Sequence, residues 1–372
     1  MERIQEKQIL NDLNKKMVLI TGPRQVGKTW LAKKIMSYFN NSIYLNYDNF
    51  KHREIIISQT WNKNTNLLVL DEIHKMPEWK NYLKGLFDTK INDLKILVTG
   101  SSRLDNFRKS GDSLAGRYFI HRLLPFSIKE LKHNNFDIDF NLLLKTGGFP
   151  EPMLSDEKNI KRWRLQYIES LIRYEILDLD KINHIKNIEI IFQLLRTKTG
   201  SPVSYQSIAE DVKVSPATVK RYINILETLF IVFSVTPYSK NIVRSLHKAP
   251  KYYFYDTGLV NGDEGVKLEN LVAVHLLKHC LAKTDIEGIK TELKYLRTKE
   301  QKEVDFCIIE ENSLKKLIEV KYSKSNLSAN LKYFSNKYNI PAMQIVKNLE
   351  IEKTVDNIDI LKLENYLLDL YI

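Results

Sequence analysis

"MVLITGPRQVGKTWLAKKIM", residues 17–36, decides the fold. A short apolar run leads into a glycine-bounded loop, and a helical pattern begins at once. The loop, "GPRQVGKT" (22–29), has the spacing G-x-x-x-x-G-K-[ST], which requires a strand before it and a helix after it. Gly22 and Gly27 let the backbone turn tightly, so that the chain through Pro23, Arg24, Gln25 and Val26 wraps a phosphate chain and aims the helix N-terminus at it. Lys28 is placed to neutralise β- and γ-phosphate charge, and Thr29 to ligate Mg2+ through its hydroxyl. The ligand implied is ATP with Mg2+.

The surrounding sequence has the alternation that such a loop needs. "SIYLNYD" (42–48), "NLLVLDE" (66–72) and "KILVTGSS" (95–102) are apolar runs ending in polar residues or glycine, separated by helical patterns. They predict parallel strands covered on both faces by helices. Asp71, at the carboxyl end of its strand, is expected to hold Mg2+ through water, and Glu72 to polarise the attacking water as general base. His74 reads more readily as a packing or surface histidine. In the next strand Thr99 or Ser101 is placed to sense the γ-phosphate. Arg117, in the polar "SLAGR" (113–117), suits an arginine finger inserted into a neighbouring subunit's ATP; an ordinary surface arginine is the bland alternative, and Arg103 is a weaker competitor.

Composition sets the outer bounds. The 372 residues exceed one ordinary core, and 43% hydrophobic with 27% charged residues describes a folded soluble protein. No apolar run approaches the length of a membrane span, and the charged start "MERIQEKQILNDLNKK" has no signal-peptide stretch, so a cytoplasmic protein with no membrane partner is expected. Two cysteines, Cys280 and Cys307, exclude a disulfide framework and a thiolate-rich metal site. The net charge of +12 favours a polyanionic partner, with a Lys-rich background as the alternative.

"SYQSIAEDVKVSPATVKRYINILETLFIV" (204–232) has helix–turn–helix lengths. Ile208, Ala209 and Val212 are expected to pack on Val219, Ile223 and Leu226, with Ser215 as N-cap and Pro216 as the first helical residue. Thr218, Lys220, Arg221 and Asn224 are then the candidate DNA contacts, and the following run to "YYFYD" reads as a wing of strands. Packing against protein is the competing role.

"EVDFCIIEENSLKKLIEVKY" (303–322) alternates like two strands but carries charge where burial is expected. Glu319 and Lys321 point the same way. With an odd-numbered loop centred on Asn312, Asp305 sits opposite Glu319 on one face, with Cβ atoms about 5 Å apart. Facing carboxylates repel unless something positive lies between them, and Mg2+ or Mn2+ suits hard oxygen ligands. Lys321 is then placed to orient a water or stabilise the phosphate. A solvated salt-bridged face and a DNA-binding site without cleavage remain open.

Two resemblances follow. "GPRQVGKT", "VLDEIHK", "VTGSS", "SLAGR", "LLPFSIKEL", "GGFPEP", "PKYYFYDTGL" and "ENLVAVHLL" resemble, in that order, prokaryotic AAA+ ATPases with an appended C-terminal domain. The resemblance implies ATP at subunit interfaces of a homo-oligomer such as a ring; where members have Arg-Asp this chain has Tyr174-Glu175. Asp, then Glu-x-Lys, resembles the PD-(D/E)XK nuclease core, and the helix glutamate of that family matches Glu269, giving the metal set Glu269, Asp305 and Glu319 with Lys321. The expected architecture is α/β: an AAA+ core over 1–152, a helical connector over 153–200, a winged helix over 201–260, a restriction-endonuclease-like domain over 261–350 and a tail over 351–372. The expected function is an ATP-hydrolysing motor or switch on duplex or branched DNA or DNA ends. The rival is a nucleotide-controlled DNA- or protein-binding regulator that cuts nothing.

Overall fold

The computed structural model describes residues 1–91, 93–100, 114–137, 139–175, 185–239, 249–323 and 326–372. The chain forms two compact units, Met1–Leu124 and Pro125–Ile372.

In the first unit the apolar runs become β1 (Met17–Thr21), β2 (Ser42–Asn46), β3 (Leu67–Asp71), β4 (Lys95–Thr99) and β5 (Tyr118–Arg122). They form one all-parallel sheet in the order β2-β3-β4-β1-β5. Helices α1 (Glu6–Leu13), α2 (Lys28–Met36), α3 (Phe50–Ser58) and α4 (Trp79–Thr89) accompany it. Leu19, Leu68, Leu70 and Val98 pack on one face, while Val18, Ile20, Val69 and Leu97 are equally buried on the other. Burial on both faces is why these strands read as unbroken apolar runs, each side chain contributing about 1.5–3 kcal/mol. Because β4 lies between β1 and β3, Thr99 is in register with both Ile20 and Asp71. The carboxyl ends of the three strands thus meet, which is where open parallel sheets bind ligands.

The second unit begins with α5 (Ile128–His133), opened by a capping box between Ser127 and Glu130, and continues through α6 (Phe140–Thr146), α7 (Pro150–Met153) and α8 (Glu157–Glu169) to α9 (Ile185–Thr197). Next come α10 (Tyr205–Val212), α11 (Pro216–Thr228), β6 (Val232–Pro237), β7 (Lys251–Phe254) and α12 (Glu264–Ala282). The rest is β8 (Thr291–Arg297), β9 (Glu303–Glu310), β10 (Ser313–Lys321), α13 (Ala329–Tyr338), β11 (Ala342–Val346), β12 (Lys353–Val355), β13 (Ile358–Lys362) and α14 (Leu363–Leu368). The strands among the described residues of this unit join one sheet, β12-β13-β11-β10-β9-β8-β6-β7.

Three sequence expectations change in detail. The first boundary was expected at 152, whereas the compact unit ends at Leu124. The reason is buried side chains: Lys278 of α12 is ion-paired to Glu130 and donates to the Pro125 carbonyl at 2.9 Å, and His275 accepts the Ile128 N–H at 3.0 Å. Strand β6, expected as part of a wing, pairs in parallel with β8, so the sheet runs through the expected break at 260, each strand satisfying the other's edge. The expected tail supplies β12, β13 and α14, with β13 paired to β11.

Candidate functional site

The phosphate loop forms where the sequence places it. Gly22 has φ 145° and Gly27 φ 98°, backbone regions that side chains disfavour. A Cβ on Gly22 would lie 2.1 Å from the Leu123 carbonyl oxygen, so this glycine is required by contact as well as by conformation. Lys28 starts α2, is buried, and donates to the carbonyls of Gly22 at 2.9 Å and Pro23 at 2.6 Å. Arg3, unremarked in the sequence, is buried beneath the loop and donates to the carbonyls of Val26 at 2.6 Å and Leu124 at 3.1 Å. Only the tertiary fold reveals it, because a lone arginine near a chain start has no local signature.

Asp71 ends β3 as expected and accepts the Thr29 hydroxyl at 3.1 Å. Thr99 donates to its other oxygen, and Tyr44 of β2 donates at 2.5 Å, its phenol pushed up to about 12 chiefly by burial and then by that carboxylate. Tyr44 was missed because its reach depends on β2 lying beside β3. Glu72 follows in the left-handed region, φ 56°, with its N–H on the Thr99 carbonyl at 3.0 Å. Such strained non-glycine residues gather at functional sites. Burial holds the Glu72 carboxyl above its usual range, partly offset by Lys75 at 3.6 Å, and the buried His74 lies 3.5 Å away. These residues fit a triphosphate and Mg2+: two loop glycines that cannot carry a side chain without strain, a lysine at the loop, and a hydroxyl–carboxylate pair beside it.

Arg117 precedes β5, whose start pairs with Met17, the end of β1 remote from Lys28. A five-residue strand separates the two by roughly 15 Å. Its guanidinium binds Asp88 of α4 through two bonds of 2.8 and 2.9 Å. Ser101 and Arg103, and the side chains of Tyr174 and Glu175, lie outside the described residues, as do 240–248 of the wing.

The helix–turn–helix core packs as its spacing implies, with Ile208, Ala209, Val212, Val219, Ile223 and Leu226 all buried. Lys213 turns the chain with φ 58°. Ser215 caps α11 by accepting the Thr218 N–H at 3.1 Å and bonds its hydroxyl at 2.8 Å, which engages Thr218 in the cap. Lys220, Arg221 and Asn224 are exposed. Lys220 and Asn224 line a cleft of about 1060 Å³ together with Thr236, Tyr252, Lys290 and the β8 residue Lys294.

At the β9–β10 hairpin, Phe306 pairs with Ile318, so the next pair inward along the strands brings Asp305 opposite Glu319. The odd-numbered loop expected around Asn312 is not how this arises. The turn is two residues, Glu311 and Asn312, both with positive φ, and the odd residue is taken up by a bulge between Leu314 and Lys316. Left-handed two-residue turns match strand twist, and the bulge lets Leu314 and Leu317 both enter the core under α13.

Around these acids the structure gathers Glu269 and two residues the sequence reading passed over, Lys251 and Tyr253 of β7. Tyr253 donates to Glu269 at 2.6 Å. The Lys251 ammonium, 1% exposed, lies 2.6 Å from Glu303 and 3.5 Å from Glu269. Lys321 donates to Glu319 at 2.7 Å, Ser328 donates to the same oxygen at 3.3 Å, and Asp305 accepts the Val320 N–H at 2.9 Å. Glu269 and Glu319 are each pushed up to about 7, first by burial and then by the Asp305 carboxylate. Among the described residues no three His, Cys, Asp or Glu side chains are grouped to hold a metal ion. Ion pairs of the cluster join Lys251 to Glu303 and Glu269, and Lys321 to Glu319. The signal for Lys251 was present in "PKYYFYD": a lysine in an otherwise apolar strand, the same anomaly that marked Asp305.

Residues 14–132 match the sequence family described as an AAA domain. The match covers about a third of the chain and spans the phosphate loop, Asp71, Glu72 and Thr99. Residues 137–269 and 264–366 match two domains of unknown function, DUF8612 and DUF4143. The chain is 27% identical over 344 residues to an uncharacterized protein of Methanocaldococcus jannaschii, covering 82% of this chain and 75% of that one. It is 24% identical over 250 residues to an uncharacterized protein of Mycobacterium tuberculosis, covering 66% of this chain and 55% of that one. Among solved structures, the alignment with the Walker-type ATPase of Pyrococcus abyssi covers 69% of this chain and 94% of that one at 17% identity, with a TM-score of 0.43. No helix among the described residues is long and apolar enough to cross a membrane.

Proposed function

We propose that the protein is an ATP-hydrolysing switch that acts on DNA as a homo-oligomer. The observation that carries the ATPase part is the convergence of Lys28, Thr29, Asp71, Glu72 and Thr99 at the carboxyl ends of adjacent parallel strands. Bound Mg2+ would supply charge neutralisation at the β- and γ-phosphates, held by the Thr29 hydroxyl and, through water, by Asp71. Lys28 exchanges its loop carbonyls for phosphate oxygens. Glu72, whose burial keeps it basic, takes a proton from water. Thr99, bonded to Asp71, relates that carboxylate to the γ-phosphate. Arg117 stands too far from its own Lys28 to assist it, which supports a role in a neighbouring subunit's ATP after it leaves Asp88.

For the second unit, the exposed Lys220 and Arg221 with Asn224, and the net charge of +12, support DNA contact through phosphates. Lys290 and Lys294 add cations to the same cleft, whose lining also holds Glu227 and Glu292. Steady-state ATP turnover should rise with duplex, single-stranded or four-way DNA, and Lys220→Glu with Arg221→Glu should remove the rise while leaving basal turnover. Turnover indifferent to every DNA refutes the proposal.

For the acid cluster, DNA binding without cutting is the better-supported reading, because Lys251 and Lys321 already pair with Glu269, Glu303 and Glu319. Metal-dependent cleavage through Glu269, Asp305, Glu319 and Lys321 is the second reading, favoured by the buried Glu319 Oε2, which has no hydrogen-bond partner. Supercoiled plasmid with Mg2+ or Mn2+ decides: nicking by the native chain that is lost in Asp305→Ala establishes cleavage.

A further inference from the structure

Lys251 is the residue of the acid cluster with no place in the nuclease pattern. It opens β7, in the hairpin that follows the helix–turn–helix, and its side chain is enclosed. By strand alternation Tyr253 leaves the same face, and its hydroxyl reaches Glu269 at 2.6 Å. One strand thus delivers a cation and a donor to the same carboxylates. The ammonium lies 2.6 Å from Glu303 and 3.5 Å from Glu269, and Asp305 lies within its electrostatic reach. Arg297 takes the second Glu303 oxygen at 3.2 Å, and Lys321 takes Glu319 at 2.7 Å. Glu269 Oε1, both Glu303 oxygens, Asp305 Oδ2 and Glu319 Oε1 thus already face N–H or O–H donors, and the buried Glu319 Oε2 is left without a hydrogen-bond partner. An enclosed ammonium ion-paired to carboxylates is held in place strongly, since removing one partner of such a set leaves uncompensated buried charge.

We infer that Lys251 takes the position of the divalent cation in this acid cluster, so that the native site binds no metal and removal of this one ammonium creates a metal site from Glu269, Glu303, Asp305 and Glu319. The inference deepens the non-cutting reading above and rests on it. It also makes the cluster's charge balance depend on a strand of the hairpin that follows the helix–turn–helix.

The test is Mn2+ titration of the full chain without nucleotide, following free Mn2+ by electron paramagnetic resonance. Native protein and Asp305→Asn should titrate identically. Lys251→Met should gain one site, roughly tenfold or more tighter than any site in the native chain, because four carboxylates then share two cations. The gain should vanish in Lys251→Met with Asp305→Asn, and Lys251→Arg should behave as native. A native Mn2+ site lost in Asp305→Asn overturns the inference, as does a folded Lys251→Met with no gain. If Lys251→Met does not fold, the comparison of native protein with Asp305→Asn decides alone. Failure here is distinguishable from failure of the non-cutting reading, which is read separately in plasmid nicking.

Discussion

Replacing Gly22 by alanine puts one methyl group against the wall of the phosphate loop. The built Cβ lies 2.1 Å from the Leu123 carbonyl oxygen and 3.1 Å from its carbon, both backbone atoms. Relief needs a shift of roughly 1 Å in a segment whose Leu123 N–H is tied to the Thr21 carbonyl at 2.8 Å. The residue must also keep φ 145°, at a further cost of about 1–2 kcal/mol. A total on the order of 3 kcal/mol corresponds to roughly 100-fold weaker ATP binding. Gly27→Ala is the control: φ is 98° but no atom lies within 4 Å of its Cβ, so only the conformational cost of about 1–2 kcal/mol remains. Titration with a fluorescent ATP analogue, scaled to the folded fraction from thermal melts, should rank native above Gly27→Ala above Gly22→Ala. Equal affinities for the two variants would refute the contact argument.

Glu72→Gln should abolish multiple turnover while retaining ATP binding. Because burial raises the Glu72 carboxyl, native turnover should fall with decreasing pH at a higher pH than an ordinary glutamate dictates, and Lys75→Met should move that limb higher still. Arg3→Met removes charged donors to Val26 and Leu124 worth about 1.5–3 kcal/mol each, so ATP affinity should drop at least tenfold with the loop's sequence unchanged. Glu269 and Glu319 have folded values near 7, above those of the unfolded chain, so the folded state holds protons more tightly. Their contribution to stability is present below about pH 4.5 and is lost as pH rises through 7. Thermal midpoints of Glu269→Gln and Glu319→Gln should therefore gain on the native protein across that interval; a constant difference would refute the assignment.

The phosphate loop, Asp71 and Glu72 were legible from residue order because their chemistry is local: a loop between a strand and a helix, and two acids ending an apolar strand, need only neighbours in the chain. The core of α10 and α11 was legible for the same reason, helical spacing alone deciding which side chains face inward. Opposition of Asp305 and Glu319 was foreseen, but by the wrong route, since a turn and a bulge can exchange one residue without changing which side chains meet. Arg3, Tyr44 and Lys251 were settled only by tertiary structure. Arg3 is far along the chain from the Leu124 carbonyl it binds, Tyr44 depends on the order of strands in a sheet, and Lys251 belongs to an edge strand that joins the second sheet through β6. Charge in a buried strand announces that a partner exists; which partner, and whether it is an ammonium or a metal, depends on contacts between segments that no local spacing encodes.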